Sequence, residues 1–572
     1  MGRFRQYLPI LGWLPQYQQS HLKGDVFGGI TVGIMLIPQG MAYAMIAGLP
    51  PVYGLYASIV PQLIYAIFGT SRPLSVAPVA MDSLLVATGV SVLATEGTDT
   101  YIGFAILLAF FMGLFQLLLG VLRMGFITNL LSKPVISGFT SAAALIIGLN
   151  QLKYLLGVEI AKSSSVLYVI ADTFAKLNET HFLTLAIGIG GIVLIKSVKK
   201  IHNNIPGALV AVVLGIIVVY SFGLHTMGVS IVRNIPDGLP AFSLPGFDLG
   251  KLSELIPIAL TISLVAFMEA YSVAKALEGQ RRDHKVNANQ ELIALGAANL
   301  VGSLFQAYPV TGGFSRSAVN QQAGANTPLA SIISAGLIAL TLLFLTPLFY
   351  YLPQAILASV ILVAVSSLID FRYAMRLWKH HQPEFVLLLI TFVVTLHFSM
   401  VPGIITGVVS SILLLLYRAA YPHIAILGRL KGQREFRNIR RFEELETWQD
   451  KLILRVDAPI TFINIQYIKD FIEKGLKSAP SCDTVLIDAS AISHLDASAI
   501  ESLDRLIESL HDQQIRIEMA ALVGPVRDTL FRTGLIQKIG EENIFLTLNN
   551  AIEYSASPHR DVALQHGEVV NT

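Results

Sequence analysis

The sequence predicts an α-helical membrane protein that carries a small α/β domain at its C-terminal end. Of its 572 residues, 53% are hydrophobic and 14% are charged, with a mean hydropathy of +0.63, whereas soluble globular proteins carry about 25% charged residues. The charge is uneven, because residues 431–572 hold 38 of the 78 Asp, Glu, Lys and Arg residues. Apolar segments long enough to cross a membrane fill most of the first 430 residues.

This composition excludes several classes of protein. It is too apolar for one soluble enzyme of this length or for a disordered chain. The net charge of +2 gives no basic stripe, so nucleic acid is not an expected partner. The sequence has no GxxxxGK[ST] loop and no convincing group of nucleophile, histidine and acid, so we expect neither an ATP-driven pump nor an enzyme. The only cysteine, Cys482, excludes a disulfide framework or a Cys-rich metal site.

Fourteen apolar segments are predicted to span the membrane, in two sets of seven. The first set begins near residues 26, 51, 78, 101, 126, 182 and 205, and the second near residues 253, 288, 315, 327, 352, 384 and 402. The third segment of each set is short or interrupted by Pro and Gly. Such paired segments indicate an inverted repeat, because a repeat of seven spans inserts its second copy upside down. We place the transport domain at residues 1–430, with repeats at about 22–224 and 250–422.

The distribution of positive charge predicts the orientation in the membrane. With a cytosolic N-terminus, the inner connections hold thirteen Lys and Arg residues and the outer connections hold four. Fourteen spans return the chain to the same side, so both termini are predicted to be cytosolic. We also expect a short amphipathic helix near Arg3 and Arg5, before the first span.

The C-terminal region alternates predicted strands and helices. The expected strands lie at residues 451–456, 484–487 and 515–519, and the expected helices at residues 464–474, 498–511 and 526–533. This alternation predicts helices packed on a sheet. We place this domain at residues 440–556 and a flexible tail at residues 557–572.

Two interrupted segments predict an anion site. Residues 75–80 place a proline at a helix start, and residues 309–317 place two glycines, hydroxyl groups and Arg316 at another. If the two starts meet near the middle of the membrane, their free N–H groups and helix dipoles favour an anion. Arg316 would add a positive charge and five donors. Ordinary Pro/Gly kinks are the alternative, and the matched repeat positions favour the site.

Two carboxyl groups within the predicted spans are candidates for ion coupling, because ionisable residues inside a membrane are functional candidates by default. Glu269 lies midway along the eighth span, where it could bind a proton and link proton uptake to anion uptake. A structural pairing with Arg316 or Lys275 is the alternative. Asp82 lies one turn into the third span, where it could bind a cation, take up a proton or neutralise Arg316.

The first span contains polar side chains beside a proline. Gln39 and Tyr43 are four residues apart and share a helix face, close to Pro38. They could offer hydrogen-bond donors to a substrate. The alternative is a proline kink whose polar neighbours bond to the adjacent span.

Three long blocks resemble the SulP sulfate-permease family. They are LIPQGMAYAMIAGLPPVYGLYAS at residues 36–58, NQELIALGAANLVGS at residues 289–303 and PVTGGFSRSAVNQQAGANTPLA at residues 309–330. The C-terminal region resembles the family's STAS domain, a fold shared with anti-sigma-factor antagonists. The similarity covers roughly residues 8–554. It implies a seven-plus-seven inverted repeat with core and gate subdomains, elevator-like alternating access, and a homodimer with cytosolic STAS domains.

The resemblance also implies roles for particular residues. By position in the family motifs, the anion site would comprise Gln39, Tyr43, Val79, Ala80, Phe314, Ser315 and Arg316. Glu269 resembles the proton-coupling residue of plant-type sulfate symporters. Asp82 departs from the family pattern and leaves the coupling ion open. Ser498 resembles the serine that is phosphorylated in anti-sigma-factor antagonists, and the alternative is that Asp496 or Ser498 caps a helix.

We therefore predict a secondary active transporter of an inorganic anion in the inner or plasma membrane, with sulfate and proton symport favoured. The alternatives are sodium-dependent bicarbonate uptake, proton-coupled C4-dicarboxylate uptake, and uncoupled exchange or a channel. No cofactor or metal is expected, and the coupling ion is a proton or sodium. The expected partners are a small anion, membrane lipid, a second copy of the chain and a soluble protein that binds the STAS domain.

Overall fold

The computed structural model describes residues 8–126, 132–159, 166–201, 206–233, 236–246, 249–281, 285–366, 368–398 and 400–556. The chain divides into two compact units, Met1–Ser411 and Ile412–Thr572. Arg3 and Arg5 of the predicted N-terminal helix, and the predicted tail at residues 557–572, lie outside the described residues.

The first half of the membrane unit follows the predicted order of spans. Its helices are α1 Ile10–Trp13, α2 Gln19–Ile46, α3 Val52–Tyr56, α4 Val60–Phe68, α5 Ala80–Val90, α6 Asp99–Val121, α7 Lys133–Leu156, α8 Val166–Ala175, α9 Phe182–Ile201 and α10 Gly207–Ser221. The pair α3–α4 forms the second predicted span, whereas α1 and the short helix α8 lie outside the predicted set.

The second half repeats this series. Its helices are α11 Leu252–Arg281, α12 Ala288–Ser303, α13 Phe314–Gln322, α14 Leu329–Leu340, α15 Gln354–Ser366, α16 Phe371–His380, α17 Gln382–His397 and α18 Met400–Ala420. Here α16 is the additional helix, and its last turn is basic. The third member of each half is short, as predicted: α5 has 11 residues and α13 has 9.

Membrane-spanning character follows from helix length and apolar composition. Within the described residues, seven helices are long and apolar enough to cross a membrane, and five shorter apolar segments accompany them. The remaining two predicted spans are α12 and α13. Helix α12 packs between α4 and α6, so it buries polar residues such as Glu291 and Asn299 inside the protein instead of facing lipid with an apolar surface.

The two halves of the membrane unit form an inverted repeat. Helix α6 packs on α11 as α14 packs on α2, and α7 packs on α17 as α9 packs on α15, so corresponding helices make corresponding contacts. Two short strands, β1 (Val76–Ala77) and β2 (Thr311–Gly312), occupy equivalent positions in the two halves. They pair antiparallel, with Val76 opposite Gly312. Equivalent segments that run in opposite directions are the expected result of inverted repeats.

Helices α6 and α12 approach closely through glycine. A Cβ atom on Gly113 would lie 2.7 Å from the carbonyl oxygen of Gly296. The reverse is also true, since a Cβ on Gly296 would lie 2.8 Å from the carbonyl oxygen of Gly113. Small residues permit this backbone contact between membrane helices, where van der Waals packing drives association.

The start of the fifth span differs from the prediction. The helix begins at Lys133, not near Phe126. Ser132 before it is extended, with φ −72° and ψ 148°, and Pro134 lies in the first turn. Proline is favoured in a first helical turn because its missing N–H would have no partner there.

The second unit contains a mixed sheet covered by helices. Its strands are β3 Ile424–Leu430, β4 Phe436–Asn438, β5 Leu445–Glu446, β6 Lys451–Val456, β7 Thr484–Asp488, β8 Arg516–Ala520 and β9 Ile544–Phe545. In the described part of the unit, the order is β4-β3-β6-β7-β8-β9, with β5 paired to β3. Strands β6 to β9 run parallel and β3 is antiparallel to β6.

Helices cover both faces of this sheet. They are α19 Ile465–Ser478, α20 Ala497–Asp512, α21 Gly524–Arg532, α22 Leu535–Ile539 and α23 Leu548–Ala556. Apolar residues of α19 to α22 bury one face together with Leu454, Val485 and Ile517, and α23 covers Ile453 and Leu486 on the other. The three predicted strands and three predicted helices are present.

The sheet of the second unit begins before the predicted start of the domain. The domain was placed at residues 440–556, yet β3 begins at Ile424 and pairs with β6. Two strands of the sheet, β3 and β4, therefore precede residue 440. The sequence pattern that would mark β3 is weak, because β3 directly follows the apolar helix α18 and composition does not separate the two elements.

Candidate anion site

The site begins with the pairing of the two interrupted segments. The amide of Gly313 donates to the carbonyl oxygen of Ser75 (3.1 Å), and the amide of Ser75 donates to the hydroxyl oxygen of Ser317 (2.9 Å). The side-chain amide of Asn320 donates to the carbonyl oxygen of Pro73 (3.1 Å). These bonds join the backbone before α5 to the first turns of α13, and so hold the two helix starts together.

Two further side chains fix β2 from behind. Asn299 on α12 accepts a hydrogen bond from the amide of Val310 (2.9 Å) and donates to the carbonyl oxygen of the same residue (3.0 Å). The hydroxyl of Thr311 donates to the carbonyl oxygen of Ala266 on α11 (2.6 Å). All of these groups are buried. Their hydrogen bonds replace those that a regular helix would make within this segment.

The starts of α5 and α13 offer amide groups to a ligand. Their N-caps are Val79 and Gly313, which have no side-chain acceptor to satisfy the first-turn amides. Val79 is extended (φ −128°, ψ 146°), and the first intrahelical bond runs from Ser83 to its carbonyl oxygen. Unsatisfied N–H groups at a helix start attract anions.

One cavity of about 420 Å³ brings the predicted residues together. All seven residues predicted for the anion site line it, and Glu269 lines it as well. The seven are Gln39, Tyr43, Val79, Ala80, Phe314, Ser315 and Arg316. Phe314 and Ser315 are exposed to the cavity, while Gln39 and Tyr43 are largely buried. Residues from α2, α5, α11 and α13 thus meet at a single site.

The sequence predicts that Arg316 offers five hydrogen-bond donors to an anion, but some of these donors bind the protein itself. Its Nη1 donates to the carbonyl oxygen of Pro78 (2.9 Å) and its Nη2 to that of Ala77 (3.2 Å). Its Nε is buried and has no hydrogen-bond partner among the described residues. The guanidinium therefore brings charge to the cavity while its two terminal nitrogens bind the opposite repeat.

The two carboxyl groups occupy different environments. Glu269 lines the cavity, and its buried Oε2 has no hydrogen-bond partner among the described residues. Asp82 is fully buried on α5, and neither of its carboxyl oxygens has a partner in the described part of the chain. Asp82 does not line the cavity. Of these two carboxyl groups, only that of Glu269 lines the cavity.

Gln39 also keeps an unused polar atom. Its Oε1 is buried without a hydrogen-bond partner among the described residues, although the alternative considered from sequence was a bond to the neighbouring span. Pro38 lies within α2, which continues as one helix from Gln19 to Ile46. A buried amide oxygen with no partner is costly, so a ligand or water in the cavity would satisfy it.

An apolar wall of the cavity escaped the sequence analysis. It is apolar and comes from α9, α10, α15 and the residues that flank them: Ile195, Pro206, Gly207, Ala208, Val360, Val363, Ala364 and Leu368. Such residues resemble any other membrane-span residues in sequence. Only packing identifies them, because they carry no polar or charged group that marks a site.

In the second unit, Asp496 and Ser498 mark the start of α20. Asp496 is the N-cap, and its Oδ1 accepts a hydrogen bond from the amide of Ala499 (2.8 Å). Its Oδ2 accepts another from the amide of Phe462 (2.8 Å). Ser498 is exposed in the first turn. The capping alternative thus holds for Asp496, and Ser498 is accessible.

The chain matches the profiles of two known families. The profile of the sulfate permease family matches residues 22–391, and the profile of the STAS domain matches residues 443–551. The chain belongs to the sulfate permease family. This permease is thus a multi-pass membrane transporter with a C-terminal STAS domain, and not an enzyme.

Curated relatives match the permease along nearly its whole length. "Sulfate transporter 4.1, chloroplastic" of Arabidopsis thaliana is 39% identical, over 95% of this chain and 82% of that protein. "High affinity sulfate transporter 2" of Stylosanthes hamata is 34% identical, over 96% of this chain and 86% of that protein.

Solved structures share the fold of the permease. SLC26A9 matches with a TM-score of 0.89 at 23% identity, over 97% of this chain and 93% of that one. The transmembrane domain of the cyanobacterial bicarbonate transporter BicA matches with a TM-score of 0.59 at 23% identity, over 69% of this chain and 98% of that one. At these identities the likeness concerns the fold alone.

Proposed function

We propose that this permease is a secondary active transporter that carries sulfate together with protons. The observation that supports it is the shared cavity, in which two helix starts and Arg316 face the same space as the carboxyl group of Glu269. The helix starts and the guanidinium suit a compact anion. The names of the curated relatives support sulfate as that anion.

Glu269 couples the proton to the anion in this proposal. An ionised carboxylate in the cavity repels a sulfate dianion, and protonation removes that repulsion. Binding of the proton therefore strengthens binding of the anion, and by linkage the anion strengthens binding of the proton by the same factor. Asp82 is the second candidate for coupling, because it is a buried carboxyl group without a hydrogen-bond partner among the described residues.

Alternating access takes place between two groups of helices in this proposal. The polar wall of the cavity comes from α2, α5, α11 and α13, and the apolar wall from α9, α10 and α15. When the helices of the polar wall slide together along the apolar wall, the anion and the polar groups that bind it move as one body. This motion is elevator-like. Pro206 and Leu368 line the cavity at the span ends assigned to the cytosol by the positive-inside rule.

The same proposal places the permease in the inner or plasma membrane as a homodimer with cytosolic termini. The relative named as chloroplastic makes the choice of membrane a separate question. Fractionation of cells that express the tagged chain answers it, and protease access to a C-terminal tag in sealed vesicles tests the orientation.

Transport is tested with the purified chain in proteoliposomes. Uptake of labelled sulfate, bicarbonate and a C4-dicarboxylate is measured with an inward proton gradient, an inward sodium gradient or neither. We expect sulfate uptake to exceed the other two and to rise with the proton gradient. Sodium-driven bicarbonate uptake would replace both the substrate and the coupling ion. Uptake that ignores both gradients would indicate exchange or a channel.

A further inference from the structure

A larger cavity, of about 720 Å³, shares no lining residue with the anion site. Three cationic side chains line it: Arg72 after α4, Arg123 after α6 and Lys285 before α12. None of the described residues that line the cavity is acidic. Positive charge from three separate segments therefore converges on one space.

The loop that carries Arg72 is fixed in place. The carboxylate of Glu291 on α12 accepts hydrogen bonds from the amides of Thr70 (2.7 Å) and Ser71 (3.2 Å). It also accepts one from the hydroxyl of Tyr65 on α4 (2.8 Å). Glu291 is fully buried. The backbone beside Arg72 is thus held rigidly against α12, which makes this wall of the cavity preformed.

Arg123 is fixed as well, at the C-terminal end of α6. Its amide donates to the carbonyl oxygen of Gly120 (3.1 Å), and the next amide donates to that of Leu119 (2.9 Å). Its φ of 59° lies in the left-handed region, where glycine is the usual residue at a helix end. The following turn is bonded to α12, because the amide of Gly125 donates to the side chain of Asn289 (2.8 Å).

Apolar side chains lie at the edge of this charged cavity. Val121 lines it and is 62% exposed, and the neighbouring Leu122 and Phe126 are 67% and 62% exposed. Exposed apolar residues at the end of a spanning helix are suited to contact with lipid. Trp13 also lines the cavity, and its buried Nε1 has no hydrogen-bond partner among the described residues. Tryptophan is enriched at the membrane interface.

We propose that this cavity binds the phosphate headgroup of an anionic phospholipid. The arginines and Lys285 suit a phosphate group, and the volume exceeds that needed for a single inorganic anion. The exposed residues Val121 and Leu122 continue from the charged space along the lipid-facing surface, which suits an acyl chain. A free phosphate compound has the same charged chemistry but would leave this apolar edge unused. The site is independent of the transported ion.

Trp13 provides a direct readout, because the chain has three tryptophans. Full-length protein with Trp378→Phe and Trp448→Phe keeps Trp13 as the only tryptophan. It is reconstituted with phosphatidylglycerol or phosphatidylcholine brominated near the headgroup end of the acyl chains, and quenching is measured against lipid fraction. We expect phosphatidylglycerol to quench at a clearly lower fraction. Arg72→Gln and Lys285→Gln should each weaken that preference about fivefold, since a lysine or arginine near an anionic lipid contributes about 1 kcal/mol.

The matched control is Arg376→Gln, which removes an exposed arginine on α16 that lines neither cavity. It should leave the lipid preference unchanged. Equal quenching by the two lipids would overturn the proposal. So would a loss of lipid preference in Arg376→Gln that equals the loss in Arg72→Gln and Lys285→Gln. Displacement of phosphatidylglycerol by millimolar inorganic phosphate would also overturn it, in favour of a soluble phosphate ligand. If Arg72→Gln does not yield folded protein, Lys285→Gln still decides the question.

Discussion

The guanidinium of Arg316 in one repeat hydrogen bonds to the carbonyl oxygen of Pro78 in the other, at 2.9 Å. A second bond, at 3.2 Å, reaches the carbonyl oxygen of Ala77. Arg316, which lines the anion cavity, thus bridges the two interrupted segments. Its charge and its bridging role are separable, because the charge acts over a distance whereas the hydrogen bonds need the forked shape of the group.

Arg316→Lys separates these roles. Lysine keeps the charge, but one ammonium group does not reproduce the planar fork that reaches two carbonyl oxygens. We expect Arg316→Lys to bind sulfate more weakly than the parent and more strongly than Arg316→Ala, in isothermal titration with purified protein. Arg316→Ala should also lower the free energy of unfolding by about 1.5–3 kcal/mol, the usual contribution of a hydrogen bond to a charged group. Parental affinity in both variants would remove Arg316 from the site.

Glu269→Gln tests the coupling of proton and anion. The amide has nearly the same size but takes up no proton, so sulfate uptake should no longer rise with an inward proton gradient. Exchange of internal for external sulfate should continue, because the helix starts and Arg316 remain. The control is Glu254→Gln, in the first turn of the same helix, where the carboxylate forms an ion pair with Lys251. If uptake by the Glu269→Gln variant still follows the proton gradient, coupling belongs to another group, and Asp82 is the next candidate to mutate.

Gly113→Ala tests the close approach of α6 and α12. The new methyl group would lie 2.7 Å from the carbonyl oxygen of Gly296, and the backbone has to move. We expect a loss of about 1–3 kcal/mol, the usual cost of overpacking, measured by thermal unfolding in detergent. Gly103→Ala on the same helix is the control, since its methyl group meets nothing within 4 Å. An equal effect of the two changes would contradict the close contact.

The buried ion pair of the STAS domain gives a prediction independent of transport. The Nζ atom of Lys451 on β6 lies 2.8 Å from the Oε2 atom of Glu518 on β8, and both side chains are 3% exposed. Lys451→Met alone leaves a buried carboxylate unpaired, which should cost about 3–5 kcal/mol. The double variant Lys451→Met with Glu518→Leu should recover most of that loss. Unfolding followed by Trp448 fluorescence, with Trp13 and Trp378 replaced by Phe, reports on this domain.

The start of α20 separates capping from regulation. Asp496→Ala removes the acceptor for two amides and should cost about 1–2 kcal/mol in domain stability. Ser498→Ala should leave stability unchanged, because Ser498 is exposed and Asp496 caps the helix. If Ser498 is a phosphorylation site, Ser498→Asp should change the rate of sulfate uptake. A transport rate that is equal in the Ala and Asp variants would contradict regulation at Ser498 and leave this turn with the capping role of Asp496 alone.

The helical part of the fold was predictable because it depends on local composition. A membrane requires apolar segments of a certain length, so residues 1–430 revealed their spans and repeats without any knowledge of packing. The alternation of strands and helices after β6 was visible for a similar reason. By contrast, β3 at Ile424–Leu430 was missed, because its partner β6 lies more than twenty residues away and strand pairing is not a local property.

Polar and charged residues within apolar segments mark the candidate site in the sequence, whereas contacts between distant segments set how those residues are arranged. Gln39, Glu269 and Arg316 were recognisable because polar and charged groups inside a membrane are costly unless they have a purpose. Their convergence on one cavity, the bridging bonds of Arg316 and the separation of Asp82 from that cavity depend on contacts between distant segments. The apolar wall at Val360 and Ile195 depends on packing in the same way, since an apolar residue in a membrane span has no distinguishing mark until its neighbours are known.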